Sequence, residues 1–139
     1  MIFVIDRHYV NQAWGYQNNG TLILSNGDFM KYKFDKNSHT TTIIDKLEKA
    51  QFVGTISTEK VQLISKLLIK SRDSNFITEM NTGRDGGHTS IYGHIIKNNE
   101  IETILLDSSG NSTSHSTNPT TIELVKILNE INYSFSKID

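Results

Sequence analysis

The sequence predicts an α+β domain whose mainly antiparallel sheet combines a three-stranded meander with a second hairpin and carries about three helices packed on one side. Three observations predict it. Two Asn-Gly pairs, Asn19-Gly20 and Asn26-Gly27, divide the stretch from Trp14 to Phe34, and Asn-Gly suits a type I′ turn because both central residues need positive φ. A second pair of alternating runs, His88 to Ile96 and Ile101 to Asp107, brackets Asn98-Asn99. Apolar residues at helical spacing fill the stretches between and after, so strands cluster in hairpins instead of alternating one by one with helices.

Ile2 to Ile5 is a short apolar run that reads as a buried first strand, and Asp6 to Gln12 then loosens into a polar connection. With two-residue turns in the meander, Trp14 faces Ser25, Tyr16 faces Ile23, Ile23 faces Met30 and Thr21 faces Tyr32. Alternation then sends Trp14, Tyr16, Ile23, Met30, Tyr32 and Phe34 to one side, the expected core. The opposite side carries Leu22, Leu24 and Phe29 beside Gln17, Lys31 and Lys33, more apolar than a solvated surface needs, so another element or a partner covers it. Ile43, Leu47 and Ala50 follow helical spacing from Thr41 to Ala50.

A short Phe52 to Ile56 stretch leads to Ser57, an N-cap for a helix over residues 58–71 with Glu59 in its first turn and Val61, Ile64, Leu67 and Leu68 in one stripe. Residues 76–80 read as a strand, and Gly83-Arg84-Asp85-Gly86-Gly87 as an irregular break. In the second hairpin a two-residue Asn98-Asn99 turn sets Lys97 opposite Glu100. Ile91, Gly93, Ile95, Ile104 and Leu106 then share one face, and Ser90 stands opposite Asp107 on the other. Ser108 to Thr117 reads as a mobile surface loop. Asn118 caps a last helix with Pro119 at its first position and Ile122, Leu124, Val125, Ile127, Leu128 and Ile131 on its apolar side. Alternation of Tyr133, Phe135 and Lys137 suggests a final edge strand or a docked tail.

At 139 residues the chain fits a single domain, 1–139, that buries roughly two thirds of its unfolded surface. It contains no cysteine, which removes thiol catalysis and disulfide scaffolds and fits a reducing compartment. The opening Met-Ile-Phe-Val-Ile-Asp-Arg has neither the basic flank of a signal peptide nor the length of a membrane span, so a cytoplasmic protein without membrane association is expected. Formal net charge is −1 and no basic stripe runs along the chain, so no nucleic-acid partner is expected.

Polar chemistry is densest over residues 84–94 and 107–115. His88, Ser90 and Asp107 on one hairpin face supply the types of a Ser/His/Asp nucleophile system. Ser90, however, lies in a regular strand and not on the strained turn such a nucleophile uses, and solvated alternation explains the same pattern. His88 and His94 share parity but stand roughly 20 Å apart, too far to share one ion, so no metal and no cofactor is expected. Arg84 and Asp85, among glycines, form either an anion cradle or a tight turn with a surface ion pair.

Trp14-Gly15-Tyr16-Gln17 followed by Gly20, Gly27 and Tyr32, then Asp85-Gly86-Gly87 ahead of Tyr92 and Leu106-Asp107 ahead of Asn118, resembles small uncharacterised bacterial proteins of similar length. The resemblance rests on framework residues and implies no activity. The expected function is that of a non-catalytic binding protein that neutralises a protein partner, most concretely an immunity protein of a bacterial toxin system. The alternative is a small hydrolase or small-ligand binder using Arg84, Asp85, His88, Ser90, His94 and Asp107. A third reading, an assembly subunit, would self-associate through Leu22, Leu24 and Phe29.

Overall fold

The computed structural model describes residues 1–11, 17–35, 42–80, 87–110 and 112–137. They form an antiparallel eight-stranded sheet and three helices: β1 (Ile2–Asn11), β2 (Gln17–Leu24), β3 (Asp28–Phe34), α1 (Ile43–Lys49), β4 (Gln51–Thr55), α2 (Thr58–Lys70), β5 (Phe76–Met80), β6 (His88–Lys97), β7 (Glu100–Ser109), β8 (Ser112–Ser116) and α3 (Pro119–Ser136). The strand order is β4-β3-β2-β1-β6-β7-β8-β5. The long first strand thus lies near the middle, between the meander and the second hairpin. Among the described residues no helix is long and apolar enough to cross a membrane.

The α+β class and the meander are present, but the meander has a different register. β1 does not loosen after Ile5; it continues through Asn11, pairing Asn11 with Gln17. Asn19-Gly20 therefore lies inside β2 and makes no turn. Gly20 sits between His8 and Tyr32 on the flanking strands, and a Cβ there would strike the Tyr32 phenol and the Arg7 carbonyl. The glycine is required by close approach, not by a left-handed backbone.

Asn26-Gly27 does turn, with Gly27 at φ +99°. Its N–H donates to the Leu24 carbonyl at 2.9 Å, which makes the connection Ser25-Asn26-Gly27, one residue longer than the two-residue turn expected. Ile23 consequently faces Phe29, and Leu22 faces Met30. One residue of slip reverses every side chain. Ile23 and Phe29 enter one hydrophobic cluster, whereas Met30, Tyr32 and Phe34 enter the other. Trp14 and Tyr16 lie outside the described residues.

The two clusters occupy opposite faces of the sheet. On the first, Phe3, Ile5, Ile23, Phe29, Ile91, Ile95, Ile104 and Leu106 pack beneath Ile64, Leu67 and Leu68 of α2 and Leu124, Leu128 and Ile131 of α3. Gly93 lets Leu68 settle directly on the strand, where a Cβ would collide with its methyl. On the second face Val4, Leu22 and Tyr32 meet Ile43 and Leu47 of α1. Two helices therefore share one side and α1 takes the other, because the slipped register makes Leu22, Met30 and Tyr32 a second apolar surface that needs cover.

Helix starts follow the sequence. Thr42 and Asp45 form a reciprocal capping box on α1, Ser57 accepts from the Lys60 N–H, and Asn118 accepts from the Thr120 N–H ahead of Pro119. The end of α3 differs from expectation. Tyr133 to Ser136 stay helical, and Phe135 stacks on Phe29 with centroids 4.2 Å apart and planes 9° apart. The second hairpin turns at Asn98 (φ 53°) and Asn99 (φ 64°), with Lys97 opposite Glu100. Ser108 to Thr117 is not a loop throughout. β7 runs through Ser109, and Ser112–Ser116 pairs with β5, helped by a 2.9 Å hydroxyl contact between Thr78 and Ser114.

Candidate functional site

β1 is ten residues long, which at about 3.3 Å per residue spans about 33 Å, whereas two packed helices cover roughly 20 Å. The far ends of β1, β2 and β3 therefore extend past the flank of α3. On the same face as Ile5, register places Arg7, Thr21 and Lys31 in one row and Tyr9, Asn19 and Lys33 in the next, with Thr89 of β6 beside Tyr9. Asn129 and Asn132 of α3 form the wall. Arg7 donates to Asn129 Oδ1, and Thr21 Oγ1 donates to Asn132 Oδ1 at 3.3 Å. Phe34, Asp35, Lys49 and Gln51 close the outer end, and the cleft so formed has a volume of about 890 Å³.

Its lining holds four basic side chains, Arg7, Lys31, Lys33 and Lys49, against one acidic, Asp35, in a chain whose net charge is −1. Burial pulls the Arg7 guanidinium below its ordinary pKa, and the charge of Asp107 partly offsets this. It still carries its charge, since an arginine titrates far above neutrality. Lys31 and Asp35 are each engaged in a polar or electrostatic contact. Lys33 and Lys49 are exposed and make no ion pair among the described residues. The Tyr9 ring packs against Gly87, where a Cβ would overlap it. Cationic, amide and hydroxyl donors around an aromatic ring suit an anion with some apolar body.

The described residues among those singled out from sequence do not all share one face. Arg84 and Asp85 lie outside the described residues. A bulge between Ile91 and Tyr92 shifts the hairpin register, so Asp107 opposes Ile91 and Ser90 opposes Ser108. Asp107 thereby turns to the α3 face, while His88, Ser90 and His94 remain on the other. Asp107 meets His115 instead, Nδ1 to Oδ1 at 2.6 Å. Ser90 is buried opposite His8. His94 Nδ1 lies 2.9 Å from Thr103 Oγ1, and its ring sits 6.2 Å from that of Tyr92. Among the described residues no group of three His, Cys, Asp or Glu side chains could hold a metal ion.

Sequence reasoning missed a buried charge beneath α1. Asp6, read as part of a polar connection, is 1% exposed; its Oδ1 accepts from the Tyr32 hydroxyl and its Oδ2 from Lys46 Nζ, both at 2.6 Å. Lys46 also lies over the Tyr32 ring, 5.5 Å from its centroid. Burial first, then the neighbouring Asp6 carboxylate, push the Tyr32 phenol well above its ordinary range, so it remains a donor. His8, 2.5 Å from Asn18 through Nε2 and Oδ1, flanks this group. Burial lowers the pKa of both His8 and His94.

No family model, curated protein or solved structure matches this chain, so its function is argued from its own geometry.

Proposed function

We propose that the protein is a non-catalytic binding protein that occludes a protein partner by receiving an acidic segment of that partner in the cleft beside α3. The concentration of Arg7, Lys31, Lys33 and Lys49 around an 890 Å³ concavity on a chain of net charge −1 carries this reading. Opposite charge steers such a segment in, and the amide and hydroxyl groups of Asn19, Thr21, Thr89 and Asn132 give its backbone and carboxylates specific partners. Tyr9 and the lysine stems supply apolar contact. An immunity protein of a bacterial toxin system is the most concrete form of this role, with a toxin that presents Asp and Glu to the cleft. The bulge that parts Ser90 from Asp107 counts against the hydrolase reading of the same hairpin.

Titration calorimetry with a deca-glutamate peptide and a deca-lysine control tests the cleft directly. The acidic peptide is expected to bind, more weakly as salt rises, and Lys33→Glu with Lys49→Glu is expected to weaken it by about tenfold or more. Equal binding of both peptides, or indifference to the double charge reversal, would remove the cleft from the function. Proteins retained from the host at low salt should be released by the same double variant.

A further inference from the structure

We propose that β5 is a self-pairing edge through which two copies of this chain join into one continuous antiparallel sheet. β5 ends the strand order, and among the described residues no strand lies beyond it. It forms five successive pairs with β8 without a bulge. Its sequence, Phe-Ile-Thr-Glu-Met, has no proline or lysine to blunt the edge, and Ile77 and Met80 are 59% and 76% exposed. The other edge is less regular: β3 and β4 pair with an irregularity between Phe29 and Met30. Among the described residues β7 and β8 pair at Asp107–His115 and Ser108–Ser114, fewer than the five pairs that join β8 to β5. A two-stranded ribbon of this kind gains from a further strand.

A second copy of β5 fits this edge in register. The Thr117 N–H donates to the Asn75 carbonyl at 2.8 Å, in register with the β5–β8 ladder. Alternation in an antiparallel ladder then turns the backbone groups of Ile77 and Glu79 toward β8, and those of Phe76, Thr78 and Met80 outward. A two-fold axis perpendicular to the sheet at Thr78 brings Phe76 opposite Met80 of the partner subunit and Thr78 opposite its own equivalent. All three outward-facing residues exchange both backbone hydrogen bonds in that register.

The same axis keeps each side chain on its own face. Methionine then meets an aromatic ring, threonine meets threonine, and Glu79 lies against Ile77 of the partner subunit instead of against another carboxylate. A single strand pair buries little surface, so the dimer is weak and concentration-dependent. It uses the edge remote from the cleft and does not rest on the cleft's function.

Because the chain has no cysteine, a single introduced thiol reports the geometry. Equivalent Thr78 Cα atoms would stand about 5.5 Å apart, within disulfide range, whereas equivalent Met80 Cα atoms would stand roughly 14 Å apart. On mild oxidation Thr78→Cys is expected to form the covalent dimer about tenfold or more faster than Met80→Cys, although Met80 is the more exposed. Sedimentation of the unmodified chain should show a dimer growing with concentration, and Thr78→Lys, which opposes like charges across the axis, should abolish it. Equal or reversed crosslinking rates, a chain that stays monomeric at about millimolar concentration, or a dimer indifferent to Thr78→Lys would each overturn the proposal. An edge built for an extended segment of another protein gives the monomeric result.

Discussion

The two faces of the sheet are covered by different physics. Beneath α2 and α3 the contact is dry: fourteen buried apolar side chains form one cluster, with Leu68 seated on Gly93 and Phe135 on Phe29. Beneath α1 the fully buried apolar residues, among the described ones, are Val4, Leu22 and Tyr32, and the seven-residue helix contributes Lys46 to a buried carboxylate–ammonium pair with Asp6. A broad apolar face spreads its stabilisation over many small contacts, whereas the α1 face concentrates it in Asp6, Lys46 and Tyr32. A buried pair of this kind is costly to break on one side, because the remaining charge is left without its partner.

Breaking the pair should therefore have the largest effect. Lys46→Ala leaves the Asp6 carboxylate buried without its cation and is expected to cost about 3–5 kcal/mol in urea unfolding. Asp6→Leu with Lys46→Met, which removes both charges, should recover much of that loss. If the double variant were as unstable as the sum of the single ones, the pair would not be coupled and the contrast between the faces would fail. On the dry face Leu68→Ala should cost about 2–5 kcal/mol through its cavity, and Gly93→Ala about 1–3 kcal/mol through overpacking. Because both act on one contact, Gly93→Ala made in the Leu68→Ala background should cost much less than it does alone.

The smallest effect sharpens the comparison through pH. His8 and His94 both have pKa values lowered from the model-compound value of 6.5, chiefly by burial, with Lys46 lowering and Asp6 raising each of them, and Asn18 also raising His8. The unfolded chain thus binds protons more readily than the folded one. The stability these neutral rings contribute is present above about pH 6.5 and is lost as pH falls through the folded-state values. Urea midpoints should drop between about pH 7.5 and about pH 5.5, and His8→Gln or His94→Gln should flatten that drop. An unchanged slope in both variants would place the acid sensitivity elsewhere.

Much of the secondary structure was legible because its signals are local. Capping residues Ser57 and Asn118-Pro119 marked helix starts, and Asn98-Asn99 marked a tight turn whose two residues both adopt positive φ. Of the cleft, the shared face of Lys31 and Lys33 was legible and its assembly was not. Its two rows, Arg7-Thr21-Lys31 and Tyr9-Asn19-Lys33, exist only when β1 runs on through Asn11, and a polar stretch after Ile5 does not announce that continuation. Of the residues chosen as a site from spacing, Asp107 was parted from His88, Ser90 and His94 by one bulge.

Sequence alone thus determined the α+β class, the helix starts, the turn at Asn98-Asn99 and the buried side of α3 at Leu124, Leu128 and Ile131, since each follows from patterns over a few residues; Ile122, expected on that side, is exposed. Tertiary structure decided which face the meander residues and Asp107 take, that Gly20 makes room for Tyr32, that Ser112–Ser116 becomes a strand, and that Asp6 is buried, whereas Ile91, Gly93, Ile95, Ile104 and Leu106 share one face as their alternation predicts. Those outcomes hang on single-residue shifts in register and on pairing between distant segments, and with a side-chain period of two a single extra residue reverses a whole strand.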